Sequence, residues 1–134
     1  MREKMKKLVV ICFTIIGVLH TSTAFAGCPR MAPKISFPLS KGDQKVSGKF
    51  VKKLVVGKKL NYGGTGSSFY LTNGKYYWEQ GNKRTYSEDY KFYKNGVRCF
   101  DYEGDLSFVK FVVNDKRLVA IQKDGGRYIG RISK

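Results

Sequence analysis

A chain of 134 residues with 26 lysines and arginines against ten aspartates and glutamates is one domain's worth of a strongly basic protein, formal charge +16. Its single histidine, His20, falls in the leader described below. No imidazole is then left for a Ser-His-Asp or Cys-His nucleophile, a histidine acid–base pair or a His-based zinc site.

Arg2, Lys4, Lys6 and Lys7 form a basic start, "LVVICFTIIGVL" (8–19) an apolar run, and "HTSTAFA" (20–26) a polar stretch ending in small residues. That layout predicts a bacterial-type secretory signal peptide cleaved after Ala26, and a secreted or periplasmic protein. The apolar run is shorter than the roughly 20 residues that cross a bilayer, so no transmembrane helix is expected in the mature chain. Phe25-Ala26-Gly27-Cys28 loosely resembles a lipobox, in which Cys28 would be lipidated. The polar spacer and Phe25 in the place of leucine favour ordinary cleavage. Residues 27–134 keep 22 basic and nine acidic side chains, a formal +13, and two cysteines, Cys28 and Cys99. An even count in an exported protein predicts a disulfide. Closing so long a loop is worth about 4 kcal/mol in the chain-entropy model.

The stretch 27–43 holds all three prolines, Pro29, Pro33 and Pro38, and reads as an extended arm. Residues 44–134 then form one β-rich domain. Over 43–57, Val46, Phe50 and Leu54 recur at helical spacing with lysines between them. Asp43 is placed to cap the start and Gly57 to close the end. A short helix is expected, docked by its apolar side on the sheet; a basic amphipathic helix could also lie on a membrane. Gly48 weighs against it by about 1 kcal/mol.

From Lys58 the period becomes that of strands: 58–62, 67–72, 75–80, 85–93, 97–102, 106–113, 118–123 and 127–132. The fold expected is mainly β, an antiparallel meander or small barrel of about seven or eight strands with one short N-terminal helix. Asn73-Gly74 and Asn95-Gly96 are hairpin signals. Read as a two-residue turn, Asn73-Gly74 pairs Tyr70 with Tyr77 and Phe69 with Trp78. Phe69, Leu71, Tyr76 and Trp78 then face the core, and Tyr70 and Tyr77 face outward. For Asn95-Gly96 the register stays open: a two-residue loop pairs Phe92 with Cys99, a three-residue loop pairs Lys91 with Cys99.

Basic side chains beside rings suit a polyanion, by charge neutralisation and stacking. The candidate anion-binding residues are Lys75, Lys83, Arg84, Lys91 and Lys94, with Tyr70, Tyr77, Tyr86 and Tyr93 as aromatic contacts. The acidic cluster Asp101, Glu103 and Asp105 has its glycine misplaced for a calcium loop. Glu79, Glu88 and Asp89 show no spacing that sets up a glycosidase pair. "YGGTGSS" (62–68) runs into a strand and lacks the lysine of a phosphate loop. No metal or cofactor is expected.

The order Leu54–Gly57–Lys58, Phe69–Tyr70, Gly74–Lys75–Tyr76, Gly81, Tyr93, Gly96–Cys99 loosely resembles a family of small exported β-rich proteins of proteobacteria. The resemblance spans roughly 54–102 and implies export and a β domain, and implies no activity. Members often carry a further cysteine downstream; none follows Cys99 here. The leading expectation is a non-catalytic exported module whose basic surface meets an anionic macromolecule: a glycan, lipopolysaccharide, nucleic acid or acidic protein. The alternatives are a small secreted enzyme or toxin using carboxylates, and a calycin-like barrel holding a small ligand among its rings.

Overall fold

The computed structural model describes residues 27–87, 89–102 and 104–133. The expected leader lies outside them, as do Glu88 and Glu103. In chain order come β1 (Gln44–Lys45), α1 (Gly48–Val55), β2 (Lys59–Asn61), β3 (Ser67–Tyr70), β4 (Tyr76–Gln80) and β5 (Lys83–Ser87). They are followed by β6 (Asp89–Phe92), β7 (Val97–Tyr102), β8 (Asp105–Asn114), β9 (Arg117–Gln122) and β10 (Arg127–Ser133). The fold is mainly β and antiparallel, with ten strands among the described residues where seven or eight were expected. One addition is β1, which takes the edge of β8 beyond the end of β7. The other arises because the run expected over 85–93 is two strands.

That division closes the sheet. The strand order is β5-β4-β3-β2-β10-β9-β8-β7-β6, so β5 and β6 stand at opposite ends of the order yet are neighbours in the chain. β5 pairs with β4 and β6 with β7, and β5 touches β7. Chain continuity between Ser87 and Asp89 therefore bends the sheet into a nearly closed barrel.

The hairpins settle one open register and correct another. Lys91 stands opposite Cys99, so Asn95-Gly96 belongs to a three-residue loop. Asn73-Gly74 does too: Leu71 N–H bonds the Lys75 carbonyl, and Gly74 takes φ 84°. This is the loop in which glycine supplies a left-handed third residue. A one-residue change of register exchanges the faces of a strand. Tyr70 thus pairs with Tyr76 and Phe69 with Tyr77. Tyr70, expected outside, is fully buried, while Phe69, expected in the core with Trp78, stacks on Tyr77 on the outer face at 4.3 Å. Trp78 is only part-buried.

Alternation along β7, β8 and β9 feeds two cores. Inward, Tyr70, Tyr76, Phe100, Val109, Phe111, Leu118 and Ala120 meet Leu60 and the helix residues Val51 and Val55. Outward, Val97, Cys99, Val112, Val119 and Ile121 are covered by the arm through Cys28, Ala32, Ile35 and Phe37. The Cys28–Cys99 disulfide ties the arm to this face, with Cα atoms 5.8 Å apart.

The helix forms where expected but with a different cap and face. Ser47 Oγ accepts the Phe50 N–H at 3.1 Å, while Asp43 bonds Arg127 instead. Gly48, Val51 and Val55 face inward, and Phe50 stays 45% exposed. Gly48 is there because a Cβ would sit 2.1 Å from the Tyr93 carbonyl oxygen. Phe50 and Leu54 lie with Val113, Leu118 and Ile132 at one end of the barrel. Among the described residues no helix is long and apolar enough to cross a membrane.

Candidate functional site

At the other end the lumen contains a cavity of about 290 Å³. Inward positions of the strands build it: Ser68 from β3, Tyr76 and Trp78 from β4, Arg98, Phe100 and Tyr102 from β7. Ser107 and Val109 of β8, Ala120 and Gln122 of β9 and Tyr128 of β10 continue the wall, with Tyr62 and Thr65 from the β2–β3 connection. Tyr62, Trp78 and Tyr128 are part-buried and pack together; Tyr62 lies 5.9 Å from the Trp78 ring and edge-on to Tyr128. Gly66 lets Trp78 in, since a Cβ there would meet its indole at 2.4 Å.

Arg98 is the unusual member. Alternation in "VRCFDY" (97–102) turns Val97, Cys99 and Asp101 outward, and Arg98, Phe100 and Tyr102 inward. A permanent cation thus lies in the apolar register, only 5% exposed. Nη1 donates to Tyr70 Oη at 2.9 Å, and the guanidinium lies over the Phe100 ring, 3.2 Å from its centroid. Nε meets no protein acceptor. The ion pairs among the described residues, Arg84–Glu79 and Arg127–Asp43, do not involve it. Taking an ion from water costs several kcal/mol, whereas a desolvated cation–π contact returns about 2 kcal/mol. The stacking on Phe100 covers part of that deficit.

The other polar groups are neutral. Burial pushes the phenols of Tyr62, Tyr70, Tyr76 and Tyr102 up, with Arg98 pulling the other way. They remain O–H groups at ordinary pH. Tyr76 Oη and Ser68 Oγ share a hydrogen bond of 2.8 Å. Among the described residues no carboxylate lines the cavity. The wall is therefore aromatic, carries hydroxyl and amide groups, and has one positive charge at depth.

The residues singled out from sequence are dispersed. Tyr70 sits in the inner core below Arg98 and presents no surface. Tyr93 is 5% exposed beneath the arm and donates to the Pro29 carbonyl at 2.6 Å. Lys91 donates to the carbonyls of Pro29 and Arg30 at 3.2 and 2.8 Å, so it fastens the arm. Both positions read as surface because the arm that covers them lies more than 60 residues away in sequence. Arg84 and Tyr86 are exposed on the outer face of β5, with Arg84 bonded to Glu79 and over Tyr77, while Lys83, also exposed, starts the strand on its other face. Lys75 and Lys94 are exposed in hairpin loops. Asp101 accepts the Gly104 N–H at 2.7 Å and closes a turn. Among the described residues no group of His, Cys, Asp or Glu side chains is arranged to hold a metal ion.

Sequence reading missed Arg98, Ser68, Tyr62 and Tyr102. The available signal was a basic residue two positions before Phe100 and four before Tyr102, on one face of an apolar strand. No protein-family model, curated protein or solved structure matches the chain.

Proposed function

We propose that the protein is an exported barrel that binds a small molecule in its lumen. The observation that carries this reading is the cavity itself: about 290 Å³ walled by aromatic rings inside a nearly closed barrel. Pockets of a few hundred cubic ångströms, mostly apolar with a few convergent polar groups, are the usual form of small-molecule sites. Export is supported by the leader pattern and by the Cys28–Cys99 disulfide. Trp78, the single tryptophan, reports on occupancy. Titrating the protein with a library of small ring-bearing compounds is expected to change its fluorescence saturably. Ala120→Trp, which fills the lumen from β9, is expected to abolish binding by the same compounds while the protein still melts cooperatively. Binding unaffected by a filled lumen would sink the reading.

The outer face of β4 and β5 favours a second reading, in which a basic surface meets a polyanion. Arg84 and Tyr86 are exposed there together, with Lys83 exposed at the strand's start. Contact with four to six phosphates of duplex DNA gives a slope of roughly −4 to −5 in log K against log salt. Glutamine at Lys75, Lys83, Arg84 and Lys94 is expected to flatten that slope; Lys91 is left alone because it holds the arm. No polyanion binding at about 50 mM salt would remove this reading.

A further inference from the structure

We propose that the lumen ligand carries a single negative charge, a carboxylate on a flat ring-bearing body, and that Arg98 is its anchor. This rests on the small-molecule reading above. A guanidinium has five N–H donors in a planar fork and stays charged at any ordinary pH. Here Nη1 serves Tyr70, Nε meets no protein acceptor, and the side chain is 95% removed from solvent while lining the cavity. Phe100 covers one face of the guanidinium, so a ligand reaches it along the plane, where the fork pairs two N–H groups with two carboxylate oxygens.

The lining sets the number of charges. Among the described residues of the lining Arg98 is the only cation and no carboxylate is present, so one negative charge balances these groups and a phosphate dianion does not. The neutral hydroxyls fit this assignment: the Ser68–Tyr76 pair and Ser107 can donate to an acceptor without adding charge. Above the anchor the walls are rings, Tyr76, Phe100, Tyr102, Trp78 and Tyr62, which favour an unsaturated planar body. The volume holds on the order of ten waters at about 30 Å³ each, or one ligand with about as many non-hydrogen atoms. A benzoate or cinnamate fits these limits; a long-chain fatty acid does not.

The test is a paired comparison on the oxidised protein. A panel of ring-bearing monocarboxylates, cinnamate among them, is titrated by calorimetry beside the corresponding primary amides. The acids are expected to bind about 10- to 100-fold tighter than their amides, the factor for one charge-assisted hydrogen-bonded contact. In Arg98→Met the preference of the acids over their amides is expected to disappear, whatever the absolute affinity of either series. Arg98→Lys, which keeps the charge without the fork, is expected to fall between. Acids and amides binding equally to the native protein would remove the anchor and leave the lumen reading standing, and this comparison needs no variant. An acid preference surviving in Arg98→Met would also overturn it. Binding of neither series would remove both readings together.

Discussion

Asp43 and Arg98 are both charged groups removed from water, and the chain compensates them differently. Asp43 accepts from both terminal nitrogens of Arg127 at 2.6 and 2.9 Å and from Asn114 Nδ2 at 2.8 Å. The Arg127 hydrogen bonds, helped by Asn114 and the Ser40 N–H, hold its carboxyl well below the ordinary value of 3.8. A depressed folded-state pKa means that the contribution is full above the unfolded value and disappears as pH falls toward the folded one. Stability is therefore expected to drop as pH is taken below about 4, and the drop should be shallower in Asp43→Asn. At neutral pH that variant should lose about 2 kcal/mol, the scale of hydrogen bonds to a charged group, read from urea midpoints. Gly48 sets the opposite kind of limit. Alanine there gains about 1 kcal/mol of helix propensity. Its Cβ, however, meets backbone at 2.1 Å, which the Tyr93 turn cannot yield cheaply. Gly48→Ala is expected to destabilise by about 2–3 kcal/mol of overpacking, and a neutral urea midpoint would contradict the close approach.

Turns decide what each strand presents, and here the sequence is only partly legible. Periodicity located nearly every strand and the helix, because alternation and i, i+4 spacing are local properties. Loop length is not written as plainly. Asn73-Gly74 invites a two-residue turn, yet Gly74 serves as the third residue of a longer loop, and β3 turns over. The lumen is invisible for the same reason. Ser68 and Tyr70 point inward only in the observed register, and Arg98 reads as one more surface base until Phe100 and Tyr102 are known to share its face. Both central positions of the tight turn between β8 and β9 fall on non-glycine residues: Asp115 and Lys116, at φ 50° and 62°, between the paired Asn114 and Arg117. Left-handed backbone costs an ordinary residue about 1–2 kcal/mol. The double variant Asp115→Asn, Lys116→Gly is therefore expected to gain about 1 kcal/mol in thermal or urea unfolding. A loss would mean that the turn's side chains carry contacts beyond their backbone geometry.

At the scale of the whole molecule, one sheet separates two cores with different dependencies. The inner core draws on β2, β3, β4, β6, β7, β8, β9 and α1, whereas the outer one exists only while residues 27–43 lie across β7, β8 and β9. Two groups of contacts secure that segment. Near its start are Cys28–Cys99 and the hydrogen bonds from Lys91 and Tyr93; at its end are Asp43, Asn114 and Arg127. Reducing the disulfide frees a loop of 71 residues' separation. The unfolded chain then regains entropy worth about 4 kcal/mol in relative stability. The first part of the arm should lift before the barrel opens, since Pro29, Pro33 and Pro38 give it few backbone bonds of its own. Under reducing conditions we expect a lower urea midpoint and new binding of a hydrophobic dye to the uncovered Val97, Val112, Val119 and Ile121. Trp78 fluorescence and the affinity of the lumen should stay unchanged, because its wall residues belong to the other face of the same strands. Loss of lumen binding on reduction, with the barrel still folded by far-ultraviolet circular dichroism, would show that the arm shapes the cavity through the sheet and that the two cores are not independent.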